Sequence, residues 1–442
     1  MVRKLAARER VTGRRASPRR GLALAGGGPL GAIYEIGCVL ALFDSLEGVD
    51  FNTLDAYVGV SSGGFVAAGL ANGISPAQMY RLFITDGDRA SELAPDIFLQ
   101  PAFGEFTRRL LSVPGLVSRG ALGLIREPLQ RGTVARSFAL LSRAIPTGIF
   151  GQHSVDKFLA ALFAGPGRSD DFRRLATKLY IVATDLDTGA PVTFGKRGFD
   201  AVPIRKAIQG SSALPGLFPP VRIDGRHYVD GVLSKTLHAS AALEDGVELL
   251  LCINPLIPFD AGGAAPSGSP RSVPGERSID AGGLPRVLAQ TFRAIIHSRM
   301  EVGMDKYRRE YPRADILVFG PAREDAMMFE ANVLSYGQRV ELCERAYRTT
   351  REHLWTQRSS ISAILSRHGI RLRADRLQDA TRPLAAALQD VRPLAAARPS
   401  IVRAKADLDR TLDQLEQWFA DRRRKRAAVR KRACPVDPCS GM

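Results

Sequence analysis

The chain has 442 residues, 45% apolar and 24% charged, with a net charge of +17, so it has both the length and the apolar content to bury a sizeable core. That room suits one large α/β domain with an appendage, or about two or three ordinary domains, and it excludes a wholly disordered polyelectrolyte. The charge is concentrated: residues 1–20 and 421–432 each hold eight Arg or Lys against one acid, 14 of the 17 charges, and the middle is nearly balanced.

Residues 1–19 read as a disordered basic tail. Leu22 to Ala25 form a short all-apolar run, as in the buried middle of a parallel sheet. The run stops at Gly26-Gly27-Gly28. From Pro29 onward, Ile33, Ile36, Leu40 and Phe43 recur at helical spacing. A glycine turn opening a helix gathers backbone N–H groups that bind an anion. Ala56 to Val60 is a second buried strand, with a helix starting around Phe65 to Leu70 behind it. This βαβα order predicts a parallel sheet with helices on its faces. Arg14-Arg15 and Arg19-Arg20 precede an apolar stretch and superficially resemble a twin-arginine export signal, but that stretch carries six glycines and Glu35, and no A-x-A site closes it. No other run of ~20 apolar residues reads as a membrane span.

Residues 75–175 read as mostly helical, with large apolar Phe98, Phe103 and Phe106 that suit either a lid or acyl-chain pocket or ordinary core helices. Strand signals resume at 178–184 and 191–194, separated by a turn at Asp185-Leu186-Asp187-Thr188-Gly189. The helix end at Ala207 to Gly210 runs through a Pro-rich loop into a hairpin turned at Asp224-Gly225, and Asp230 emerges from its second arm just before Gly231. A buried strand over 248–253 follows, then a Gly/Pro/Ser-rich loop over 260–283, a helix over 285–309, a strand over 315–319 and a helix over 336–368. Beyond these, Arg382-Pro383-Leu384-Ala385-Ala386-Ala387 recurs once at 392–397, which is too few copies for a solenoid, and Leu408, Leu412, Leu415 and Phe419 mark one face of a last helix. The five cysteines are too few and too scattered for a disulfide framework, which fits a reducing compartment.

The second strand-turn-helix contains Gly59-Val60-Ser61-Ser62-Gly63, a G-x-S-x-G motif. A turn tight enough to expose the Ser61 hydroxyl leaves no room for side chains two residues either side, which Gly59 and Gly63 satisfy. A serine hydroxyl needs a base to become a nucleophile. Asp230, on a loop after a strand, suits a desolvated carboxylate in that role, while His227 and His238 bracket it and stay open as alternatives. No His, Asp or Glu cluster has metal-ligand spacing. A nucleotide site ranks low because the glycine turn lacks the G-K-[ST] ending of a P-loop and departs from the dinucleotide fingerprint.

From the glycine turn through G-x-S-x-G to Asp230-Gly231, roughly residues 20–255, the chain resembles the patatin-like phospholipases, a family of Ser-Asp dyad lipid acyl hydrolases. The segment Ser212-Ala213-Leu214-Pro215-Gly216-Leu217-Phe218-Pro219-Pro220 resembles the family's approach to its aspartate. The resemblance implies a three-layer α/β/α fold with a mainly parallel central sheet and a helical C-terminal extension. It also implies Ser61 as nucleophile, Asp230 as base, Gly26, Gly27 and Gly28 as oxyanion hole, and Gly31, Gly59, Gly63 and Gly231 as supports, with no metal and no cofactor. Leu30 stands where the family commonly has Arg or Lys, Val60 replaces a frequent Thr or Cys, and Val232 follows Asp230-Gly231 where Gly or Ala is frequent.

The expected organisation is a tail over 1–19, an acyl hydrolase domain over 20–368, and an Arg/Ala-rich extension with a basic tail over 369–442. The expected function is a serine lipid acyl hydrolase of phospholipase A or lysophospholipase type. Alternatives are hydrolysis of a neutral lipid, thioester or storage polyester, or an idle scaffold that binds membrane or nucleic acid. The expected partners are a lipid ester and an anionic membrane surface reached by the basic ends, with nucleic acid ranked behind and oligomeric state open. The expected location is cytoplasmic, peripheral at the inner face of the membrane.

Overall fold

The structure is a computed structural model that describes residues 18–85, 147–235, 237–260, 283–323, 325 and 338–388. The expectations for residues 1–17, Phe98, Phe103, Phe106, the loop interior at 261–282, the second Arg-Pro-Leu-Ala copy, the helix at Leu408 to Phe419, Cys434, Cys439 and the basic C-terminus lie outside the described residues.

Strand β1 (Arg20–Leu24) leads into helix α1 (Gly28–Ser45), and the two-residue β2 (Leu46–Glu47) follows. Next come β3 (Ala56–Val60), α2 (Ser62–Ala71), α3 (Pro76–Phe83) and α4 (His153–Phe163). Then follow β4 (Lys178–Asp185), β5 (Pro191–Phe194), α5 (Ile204–Ser211), the hairpin β6 (Val221–Ile223) and β7 (Arg226–Asp230), the short α6 (Ser240–Leu243) and β8 (Leu249–Ile253). The remaining elements are α7 (Gly283–Glu310), β9 (Asp315–Phe319), α8 (Arg339–Thr356), α9 (Arg358–Arg367), β10 (Arg371–Leu372), α10 (Ala374–Gln378) and α11 (Leu384–Ala387).

Eight strands form one sheet in the order β6-β7-β4-β3-β1-β8-β9, with β5 also on β4. The run from β4 through β3, β1 and β8 to β9 is parallel, while β5, β7 and β6 join antiparallel. β1 lies between β3 and β8, so Leu22 sits opposite Tyr57 on one side and Leu251 on the other. A strand covered on both faces reads as a continuous apolar run, which is why Leu22 to Leu24 carries no polar alternation.

The two faces nonetheless take different sizes of side chain. Leu22, Leu24, Tyr57, Leu179 and Ile181 point into the larger core, shared with α1, α2 and α8. Ala23, Ala56, Val58, Val182 and Cys252 point into the smaller one, shared with α6 and α7. Helices on both faces of a mostly parallel sheet make three layers, α/β/α.

Helix α1 has 18 residues with a mean hydropathy of 1.2, long and apolar enough to cross a membrane by length and composition, and it lies in the apolar stretch that follows Arg19-Arg20. Here it is a core helix packed on α8. At Gly37 a Cβ would lie 2.4 Å from the Cys343 carbonyl oxygen, so the two backbones approach too closely for any side chain.

The single helix expected over 336–368 is two. The chain leaves helical dihedrals at Gln357 (φ −100, ψ 21), and α9 sets off anew so that Ile361 and Leu365 reach the core. Residues 371–387, beyond the boundary read at 368, pack on α1. β10 pairs antiparallel with β2, and the buried Asp44 carboxylate accepts from Tyr347 Oη (2.8 Å), an Arg376 nitrogen (2.6 Å) and Arg382 Nε (2.7 Å).

Candidate active site

The turn from β3 into α2 is built by contact of backbones. A Cβ at Gly59 would lie 2.5 Å from Gly64 Cα, and one at Gly63 would lie 2.5 Å from the Leu24 carbonyl oxygen. Ser61, between them, has φ 52 and ψ −123, a left-handed conformation that costs a non-glycine residue about 1–3 kcal/mol. Its N–H donates to Ser211 Oγ at 2.8 Å, and that hydroxyl donates in turn to the Val182 carbonyl. Ser211, in the last turn of α5, thus clamps the strained turn to β4. The sequence reading gave it no role, because a serine near a helix end carries no signal of its own.

Asp230 ends β7, where its N–H donates to Ala213 O at 3.0 Å and its carbonyl accepts from Thr184 Oγ1 at 3.0 Å. A Cβ on the next residue, Gly231, would lie 2.2 Å from Val182 O, so the chain must carry glycine to turn away here. The side chain is fully engaged: Oδ1 accepts from the Val232 N–H at 2.9 Å, and Oδ2 accepts from the Ser61 hydroxyl at 2.7 Å. Burial, with 2% of the residue exposed, pushes the carboxyl up to about 7, against the opposing pull of the Ser61 and Val232 hydrogen bonds. A carboxylate of that basicity, bonded to a hydroxyl, can take the hydroxyl's proton near neutral pH.

The glycine turn lies against the same serine. A Cβ at Gly26 would lie 3.0 Å from Ser61 Cβ, and one at Gly27 would lie 2.7 Å from Gly31 Cα. Gly28, at φ +62, opens α1 facing empty space. The Gly31 N–H is engaged with Gly27 O at 3.0 Å, and a Cβ at Gly31 would crowd Ser62 Oγ at 3.0 Å. The amides of Gly28 and Ser62, each first in its helix, have no carbonyl a turn earlier within their own helix. Gly27, Gly28 and Ser62 line one cavity with Ser61 and Asp230, so two helix N-termini converge on the serine. The Ser62 amide was not singled out from sequence, although the residue after a nucleophile on such a turn is the natural second donor.

That cavity has a volume of about 340 Å³ and a mostly apolar wall that includes Leu30, Ile33, Phe65, Phe83, Val155 and Phe292. Leu30 belongs to this wall and is buried, consistent with an apolar rather than a cationic residue at that point of the turn. Besides Asp230, the charged side chain on the lining is Arg293 of α7, whose guanidinium is held below its usual range by burial. The two histidines turn elsewhere. His227 is exposed against Asp187 at 3.4 Å, and the buried His238 ring meets Thr193 Oγ1 at 3.1 Å, its burial pushing it down to about 3. Among the described residues no three His, Cys, Asp or Glu side chains gather where a metal ion could be held.

Among solved structures the chain is similar to VipD from Legionella pneumophila, at 15% identity over 77% of this chain and 67% of that one, with a TM-score of 0.34. It is also similar to the type III effector protein ExoU, at 16% identity over 77% of this chain and 53% of that one, with a TM-score of 0.33. The heterodimeric ExoU-SpcU complex from the type III secretion system of Pseudomonas aeruginosa matches at 19% identity over 77% and 52%, with a TM-score of 0.28. The chain spans about half the length of the ExoU chains it matches. The family model for patatin-like phospholipases matches residues 22–243, half of the chain and the part that holds Ser61, Asp230 and the glycine turn, and the chain belongs to that family.

Proposed function

We propose that the protein is a serine lipid acyl hydrolase that cleaves carboxylic esters through a dyad of Ser61 and Asp230. The observation that carries this reading is the 2.7 Å hydrogen bond from the Ser61 hydroxyl to a carboxylate held near neutral basicity, at the edge of an apolar cavity. As Ser61 Oγ attacks the acyl carbonyl carbon, Asp230 Oδ2 takes its proton. The negative charge that develops on the carbonyl oxygen is received by the amides of Gly26, Gly27 and Gly28, with Ser62 as a further donor, each worth about 3–4 kcal/mol when well placed. Protonated Asp230 then hands its proton to the alcohol oxygen as the C–O bond breaks. Water entering the same place gives a proton to Asp230 and attacks the acyl-serine, and the returning proton restores Ser61 and frees the fatty acid.

The apolar lining suits an acyl chain, which makes the substrate a lipid ester of phospholipase A or lysophospholipase type. The unit that carries this chemistry is proposed to run over 20–368, with 371–387 strapped onto it. The basic ends, 1–20 and 421–432, are proposed to bring it to an anionic lipid surface. A fluorophosphonate probe tests the chemistry: the protein is labelled at Ser61, Ser61→Ala is not labelled and does not hydrolyse a soluble ester. Labelling at another residue, or hydrolysis that survives Ser61→Ala, would overturn the proposal.

A further inference from the structure

Helix α7 carries two apolar stripes where a surface helix needs one. The first faces inward: Ile296, Met304 and Tyr307 are buried in the smaller core. The second runs beside it along the N-terminal half and faces out. There Leu288, Phe292 and Ile295 recur at helical spacing and are 45%, 47% and 50% exposed, with Val287 exposed next to them. A contiguous apolar patch on the surface of a highly charged chain marks a place of contact.

This patch is continuous with the cavity that holds Ser61. Phe292 belongs both to the outward stripe and to the cavity wall. Leu217, on a separate segment of the wall, is likewise exposed, and Ile149 stands exposed close by, because the Phe150 N–H donates to Leu217 O at 2.8 Å. The apolar lining therefore extends onto the surface along two segments of chain. Neither carries an acid: residues 283–300 hold Arg286, Arg293 and Arg299 with no Asp or Glu, and residues 147–152 and 212–221 hold no charged residue.

These features select the occupant. Another polypeptide seated on Phe292 and Leu217 would close the way to Ser61, whereas a lipid surface covers the same side chains and delivers an ester between them. Arginines without acids match anionic headgroups, and the apolar stripe matches the acyl boundary beneath. Building on the acyl hydrolase reading, we infer that the N-terminal half of α7, with the rim at Ile149 and Leu217, is the face that docks on an anionic lipid surface, so that the cavity opens into the lipid. This contact is made by apolar side chains beside the site and is separate from the attraction assigned to the basic ends.

The test uses the full chain carrying Ser61→Ala, so that binding is read without turnover. Vesicles of phosphatidylcholine with phosphatidylglycerol are offered in about 0.5 M NaCl, where the pull of the basic ends is largely screened. The protein co-sediments with the vesicles, and Leu288→Gln with Ile295→Gln, two positions outside the cavity lining, lowers the bound-to-free ratio about tenfold at unchanged melting temperature. With Ser61 intact, the same pair leaves kcat/KM for a soluble ester within about twofold. Binding abolished by the salt, or indifferent to the pair, overturns the docking face, as does loss of soluble-ester turnover in step with binding. A chain that sediments as a dimer and becomes a monomer with the pair also overturns it, making a second copy the occupant. Should no ester be hydrolysed while vesicle binding still depends on the pair, the docking face stands and the hydrolase reading falls; soluble-ester hydrolysis at Ser61 without that dependence gives the reverse.

Discussion

Asp230→Asn separates what the site does from what it costs the fold. The wild-type carboxyl has an ordinary value of 3.8 in the unfolded chain and about 7 when folded, because burial disfavours its charge. Between those values the folded protein holds a proton that the unfolded chain has released. Stability from this group is thus fully present below 3.8, falls as pH rises through the window, and is lost above about 7. The gap corresponds to about 4 kcal/mol. Asparagine cannot ionise, and its carboxamide can accept from the Val232 N–H and donate to Ser61 Oγ, so it keeps the local bonding without the pH penalty. The variant should therefore exceed the wild type in urea stability at about pH 8 by up to about 4 kcal/mol, with the margin shrinking toward zero near pH 4. It should also lose about 100- to 10,000-fold in turnover of a soluble ester, the usual worth of a general base. Paired urea titrations at the two pH values read the first effect and steady-state kinetics the second. A variant no more stable than the wild type at the higher pH, or equally favoured at both, would refute the claim that Asp230 is a desolvated, destabilising base.

In the proposed dyad only ionised Asp230 accepts the Ser61 proton, so kcat/KM for a soluble ester should rise with pH and level off above about 7, and a flat profile through neutrality would exclude it as the base. Ser211→Ala leaves the Ser61 N–H and the Val182 carbonyl without their shared hydroxyl, which should cost about 1–3 kcal/mol of stability and slow turnover about tenfold, read from kcat at saturating ester. Gly63→Ala drives a methyl group to 2.5 Å from the Leu24 carbonyl, where backbone meets backbone. It should lower the melting temperature by far more than Gly73→Ala, whose Cβ meets open space and whose cost is the strain of φ +76 alone.

Much of the fold was legible because its determinants are local. Leu22 to Ala25, Ala56 to Val60 and Leu249 to Ile253 are short runs without charged residues, and such a run has to be covered on both faces. The order of strands and helices then fixed a parallel sheet. What the runs could not disclose is which face is the larger. That Ala23 meets α6 and α7, and that α8 joins α1 over Leu22 and Leu24, is decided by partners more than 200 residues away. The break at Gln357 was hidden because the apolar spacing continues through it into Ile361 and Leu365. Nor does an isolated aspartate in a helix such as Asp44 announce Arg376 and Arg382 as its partners, more than 300 residues further along.

The site divides along the same line. The glycines around Ser61 are demanded by a turn that spans five residues, so they could be read as a motif. Asp230 was legible because a hairpin signal, Asp224-Gly225, delivers the chain to Asp230-Gly231 at a strand end. Ser211, 150 residues from the serine whose amide it holds, has no such local requirement. Sequence could state only the conditional that burial would make Asp230 basic. The structure supplies the burial and, with it, a constraint. A carboxylate that destabilises the fold when ionised has to be held by everything around it. Asp230 is held four times, by Ala213 and Thr184 on its backbone and by Val232 and Ser61 on its side chain. Two of those bonds hold its backbone and one holds the carboxylate, and the fourth is the one a proton can cross.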